Sequence, residues 1–261
     1  MFQLISDLRT QKRVIGALFL REIQTRWGRR NLGFAWLFAE PLVFAFPVLT
    51  MWRLMRGSHE HGFAVIALLW SGYLPLLLFR HITGSAMYCI RSNGAVLYHR
   101  VVTPLDIFIG KCGLEALGNV AAVALSFIIF YTLGFVETPA NYPLLLLGVL
   151  YMTWWSLAVA LIVAALSERS DIVEHVWMPI SYMYLPLSGC FYMAEWLPNN
   201  MRAVALTLMP SLHIYEMIRS GLFGMRVQAF YNLGYLTSIL SILTFIGFKF
   251  IRDVRDHLEF E

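Results

Sequence analysis

Long stretches almost free of charge alternate along this chain with short stretches where charges collect. Six predominantly apolar runs stand out: Gly33 to Trp52, Gly62 to about Tyr88, Ala116 to Val136, Pro143 to Leu166, His175 to about Met193, and Ala229 to about Phe250. At about 1.5 Å per residue, each spans the roughly 30 Å hydrocarbon core of a bilayer as a helix. Lipid offers no partner to a free N–H or C=O, so runs of this length must close their hydrogen bonds internally. The expected fold is an all-α integral membrane protein with six transmembrane helices.

Two segments break the pattern. In residues 1–32, Val14, Leu18, Phe19, Ile23 and Trp27 recur near helical spacing, with Lys12, Arg13, Arg21, Arg26, Arg29 and Arg30 between them. A basic amphipathic helix of this kind lies in the membrane interface. Between the fifth and sixth runs, residues 194–228 are too apolar for a solvated loop, and Pro198 and Pro210 divide them. Two short helices follow, forming a re-entrant hairpin on the outer side. The chain therefore reads as one unit: interface helix 1–32, membrane domain 33–250 and tail 251–261.

Composition sharpens this. Hydrophobic residues make up 59% of the 261 and charged residues 14%, against about 25% in soluble domains. That excludes an ordinary soluble domain. The net charge of +4 comes mostly from arginines at the ends of apolar runs, which points to anionic lipid head groups and not to nucleic acid. Fourteen Arg and Lys residues fall on one side of the predicted spans and five on the other, with Arg80 inside a run. This bias places both termini in the cytoplasm. The apolar stretch Val14 to Leu20 is too short for a secretory signal. Cys89, Cys112 and Cys190 match neither a metal site nor a disulfide framework, so they read as packing residues, and no metal site is expected.

Candidate chemistry is sparse. Gly110-Lys111 is followed by Cys112, and Leu105 stands where a phosphate-binding loop needs its first glycine. Any ATP and Mg must be bound by another chain. The segment from Arg91 to Asp106 holds Asn93, Gly94, Leu97 and Tyr98 and ends at Thr103-Pro104, a good helix start. Leu97 and Tyr98 fit either a socket on a partner protein or a loop dipping into lipid. Glu40, inside the first run, either lines a path or bonds a neighbouring helix. Arg26, Arg29 and Arg30 share one helical face. They would receive an anionic lipid-linked substrate or anchor the chain to head groups. His213, Glu216 and Arg219 are three apart and form either a catalytic constellation or a polar packing seam. His59 and His61 suit a solvated loop, and the many aromatics suit interface belts, core packing or a sugar path.

Three strings together resemble the ABC-2-type permeases, most closely those of capsule polysaccharide export: REIQTRWGRRNLGFAWLFAEPL from Arg21, SNGAVLYHRVVTPLDIFIGKCGLE from Ser92, and PLSGCFYMAEWLPNNMRAVALTLMPSLHIYEMIRSGLFG from Pro186. Met209-Pro210 departs from the Asn-Pro of the family pattern. The resemblance implies a homodimer paired with two copies of an ABC ATPase subunit, in a bacterial inner membrane. Asn93, Gly94, Leu97, Tyr98 and Pro104 would belong to the ATPase-coupling segment. Arg26, Arg29, Arg30 and Glu40 would flank the route of a lipid-linked acidic polysaccharide. Trp196, Pro198, His213, Glu216 and Arg219 would build the outer hairpin. A periplasmic co-polymerase and an outer-membrane channel would continue the path. Export of another lipid-linked glycan, such as O-antigen or teichoic acid, is the nearest alternative. A membrane-embedded glycan or lipid transferase needs a catalytic cluster on an exposed loop, and an ion-coupled transporter needs more intramembrane charges than Glu40 and Arg80.

Overall fold

The computed structural model describes residues 2–27, 32–97 and 102–258, with backbone alone for 2–10, 26–27, 32–38, 44 and 255–258. Among the described residues, ten α-helices follow in order: α1 (Phe2–Trp27), α2 (Leu32–Arg56), α3 (Val65–Ala86), α4 (Gly94–Leu97), α5 (Pro104–Thr132), α6 (Tyr142–Arg169), α7 (Asp171–Leu187), α8 (Asn199–Leu208), α9 (Pro210–Phe223) and α10 (Leu233–Leu258). A minimal antiparallel ribbon, β1 (His59–Glu60) and β2 (Phe63–Ala64), joins α2 to α3.

Among the described residues, α3, α5, α6 and α10 (its stretch Leu233–Val254) are long and apolar enough to cross a membrane. The remaining two expected runs fall on α2 and α7. α7 has 17 residues, with Pro179 and Pro186 inside it. Helix ends moved where local chemistry overrode apolarity. The third apolar run begins only at Ala116, but α5 starts at Pro104, at the Thr103-Pro104 helix start read from the sequence. There the Thr103 hydroxyl accepts from the Asp106 N–H (3.2 Å), and the Asp106 carboxylate accepts from the Thr103 N–H (2.9 Å). This capping box satisfies two orphan donors at once. The added turns carry Asp106, Lys111 and Glu115 and pack against α1. At α7 the expected run to Met193 stops at Leu187, and Gly189 adopts φ +91°, a left-handed turn suited to glycine.

α3 lies at the centre: 83% of its apolar window is buried, against 22% for α10. It touches α2, α5, α6, α7 and α9, while α6 also holds α10. Lipid tails are as apolar as leucine, so helix association here relies on close packing. Small residues supply it. A Cβ on Gly221 of α9 would come 2.5 Å from the Leu145 nitrogen of α6, and one on Gly148 would come 2.6 Å from Ile218. A Cβ on Gly72 of α3 would overlap the Cys190 carbonyl oxygen at 1.9 Å.

Gly221→Ala is expected to cost about 1–3 kcal/mol through overpacking, because the obstacle is backbone. Gly16→Ala, with nothing within 4 Å, is the control. Thermal melts of the detergent-solubilised protein should show a lowered midpoint for the first and none for the second.

Candidate functional site

Three features carry the chemistry: a tethered turn at one end of the bundle, a polar cavity within it, and a buried charged seam at the other end.

The turn follows α3. Residues Arg91–Asn93 form one 3-10 turn that continues into α4. The Asn93 side chain is buried; it donates to the Cys89 carbonyl (2.8 Å) and accepts from Arg21 of α1. Lys111 of α5 donates to the Ser92 hydroxyl (3.2 Å). Arg91 reaches α7, 2.8 Å from Asp171 and 3.5 Å from Glu174. The hydrogen bond and charge of Asp171, with Glu174 adding to them, raise the Arg91 pKa above its ordinary value. Gln11 of α1 also donates to Asp106 (2.9 Å). One turn is thus tied to α1, α5 and α7. Gly94 and Leu97 are half-buried, and Leu97 packs against the main core instead of standing out. Pro104 is buried at the first turn of α5. Ala95 is exposed. Tyr98, Arg29 and Arg30 lie outside the described residues, and the side chain of Arg26 does too.

The cavity has a volume of about 600 Å³, within the range of ligand pockets. Glu40 enters it from α2, Arg80 and His81 from α3, and Glu115 from α5. Trp177 and Tyr182 of α7 and Tyr73 of α3 add flat aromatic surface. Glu40 therefore faces this polar cavity. In the sequence, Arg80 and His81 interrupt the second apolar run and Glu115 stands just before the third. Their convergence depends on helix packing that spacing cannot give.

At the hairpin end, α8 and α9 are the two short helices expected, divided at Pro198 and Pro210. Glu216 and Arg219 have no exposed surface and stand 4.0 Å apart. Arg219 donates to the carbonyls of Cys190 (2.7 Å) and Tyr192. Glu216 accepts from the Ala194 N–H (2.9 Å). His213 donates from Nε2 to the Leu206 carbonyl (2.8 Å) and accepts at Nδ1 from the Asn232 N–H (3.2 Å). That pattern fixes one neutral tautomer, and burial lowers its pKa in the same sense. All three residues hold backbone and form a packing seam. Trp196 stacks on His61 with centroids 4.4 Å apart, and Pro198 precedes α8. Among the described residues, no group of three or more His, Cys, Asp or Glu is placed to hold a metal ion.

Residues 13–223 match the profile of the family described as ABC-2 type transporter. The chain is 32% identical to the capsule polysaccharide export inner-membrane protein BexB of Haemophilus influenzae, over 97% of this chain and 95% of that protein. It is 32% identical to the capsule polysaccharide export inner-membrane protein CtrC of Neisseria meningitidis serogroup B, over 94% and 92%. With the polysialic acid transport protein KpsM of Escherichia coli it shares 25% identity, over 95% of both.

Arg219→Leu is expected to destabilise the fold by about 3–5 kcal/mol, because it leaves Glu216 buried without its counter-charge. Fluorescence-detected size exclusion after heating should show early loss of the monodisperse peak. An Arg219→Leu protein as heat-resistant as the parent would return the seam to the list of catalytic candidates.

Proposed function

Given that this chain belongs to the ABC-2 type transporter family, we propose that it is the membrane permease subunit of an ATP-driven exporter, moving lipid-linked capsular polysaccharide across a bacterial inner membrane. One observation carries this reading: the match to a capsule export protein extends over 97% of the chain. The polar cavity between its helices supports it. A transferase is disfavoured because Glu216 and Arg219 are fully buried and engaged.

In this reading the chain crosses the membrane six times, with α2 and α7 joining the four apolar helices, and both termini are cytoplasmic. α1 lies along the cytoplasmic interface, and α8 and α9 form the outer re-entrant hairpin. Two copies pair with two ATPase subunits, which bind the ATP and Mg. Arg26, Arg29 and Arg30 meet the anionic carrier at the cytoplasmic leaflet. The substrate passes to a periplasmic co-polymerase and an outer-membrane channel.

The turn 91–97 is the contact with the ATPase. Its tethers give the push a direction: Arg91 holds the first turn of α7, and α7 carries Trp177 and Tyr182 into the cavity. Ser181 is the one buried residue of α7, and Trp177, Tyr184 and Leu185 rest half-buried on the core; packing this light suits a helix that moves as a wall.

A strain lacking the gene should keep its polymer inside the cell and regain surface polymer when the chain is returned; surface polymer without the gene refutes the reading. Ala95→Trp, on the exposed face of α4, should abolish co-purification of the ATPase with an unchanged melt. Arg91→Glu should leave assembly and melting intact but reduce export several-fold, since exposed ion pairs add little stability. Adding Asp171→Arg and Glu174→Arg should restore export. Failure of that restoration removes Arg91 from the coupling route.

A further inference from the structure

The cavity contains a cation, Arg80, with no counter-ion in contact among the described residues. The Arg80 guanidinium lies over the Tyr182 ring, 3.9 Å from its centroid. Among the described residues no carboxylate stands within 4.0 Å of it, although Glu40 and Glu115 line the same cavity. Glu115 is engaged elsewhere: Asn119 donates to its Oε1 (3.2 Å), and His81 Nδ1 stands 4.0 Å from that oxygen. A guanidinium inside a membrane-crossing helix is costly unless it meets water, a counter-charge or a ligand. Here it faces a space large enough for a sugar unit.

The surroundings specify the ligand. A guanidinium fork matches the paired oxygens of a carboxylate or phosphate. Tyr73, Trp177 and Tyr182 offer flat apolar faces beside it, and Ser85 and Ser181 offer hydroxyls. We propose that Arg80 and Tyr182 form a subsite for one oxyanion-bearing sugar ring, the oxyanion on the guanidinium and the ring against the aromatic wall. The inference rests on the glycan-export reading above. It makes Arg80 the residue that favours acidic over neutral glycan. Glu40 and Glu115 limit how tightly the subsite holds its ligand: they repel further anionic groups, and a transport path must bind well enough to admit but weakly enough to release.

The oxyanion can belong to the repeating sugars or to the phosphate of the lipid linker, and a titration separates them. The full chain, with its ATPase in nanodiscs, is titrated calorimetrically with a uronic-acid oligomer, a neutral malto-oligosaccharide of equal length, and a hexose 1-phosphate. The uronic-acid oligomer, the hexose phosphate or both should bind about tenfold tighter than the neutral sugar, as a charge-assisted contact implies. The anion that binds identifies the source. Arg80→Gln should erase the preference and Arg80→Lys should retain part of it. Tyr182→Leu, which keeps the charge and leaves α3 untouched, should weaken the preferred anion several-fold. No preference in the parent, or a preference that survives Arg80→Gln, overturns the subsite. In the deletion strain, full export by Arg80→Gln also overturns it while leaving the export reading intact. If the parent itself restores no surface polymer, the export reading falls, and the titration still decides the subsite.

Discussion

Arg219 sits at the centre of the hairpin end with no exposed surface, and the route of the chain there depends on what its guanidinium holds. When α7 stops at Leu187, the following backbone has left its helix but has not reached water. Arg219 takes the carbonyls of Cys190 and Tyr192, and Glu216 takes the Ala194 N–H. Without them these buried polar groups would each carry a desolvation penalty of about 1–3 kcal/mol. The pair neutralises itself at 4.0 Å, so charge enters the interior in balanced form. Gly72 lets α3 approach the Cys190 carbonyl closely enough to shut this layer. One ion pair thus holds the chain just beyond α7, seats α9 and joins both to the central helix.

That arrangement explains which parts of the fold were legible. Apolar run length gave the long helices, because satisfying backbone in lipid leaves little choice. Pro198 and Pro210 gave the division of the hairpin, because proline both removes a donor and starts a helix well. Run length alone missed the start of α5, which the Thr103-Pro104 pair marks instead; there Thr103 and Asp106 open the helix among charges that pack on α1. It failed again at α7, where Gly189 bends the chain out of helix inside a sequence that remains apolar. Polarity measures what a residue prefers to touch, and neither boundary was decided by that preference.

The candidate site was legible residue by residue but not as a constellation. Glu40 was marked because a carboxylate in an apolar run must face something polar, and it lines the cavity. Arg80, His81 and Glu115 come from two other helices and meet only through packing. Arg91 and Asp171 are eighty positions apart and still form the tie between α7 and the turn after α3. Leu97 reads from the sequence as exposed, either to a partner socket or to lipid, yet it is partly covered by the core. A four-residue helix has two faces, and spacing alone could not say which one the core would take.

The unequal packing of the helices has a mechanical consequence. α3 is held on nearly every side, whereas among the described residues α7 packs mainly on α6 and α3. Ile172, Met183 and Leu187 of α7 are exposed. Lipid or a second copy of the chain would have to cover these apolar residues. Its two ends are more constrained: Arg91 ties the first turn, and the Arg219 layer fixes the chain just beyond the last. A displacement at Arg91 therefore has a hinge to work against, the left-handed turn at Gly189. The residues between tie and hinge include Trp177 and Tyr182, the aromatic wall of the cavity. Under the proposed coupling, motion imposed at the turn would reach the aromatic wall of the cavity, while the tightly packed α3, carrying Arg80, would stay in place.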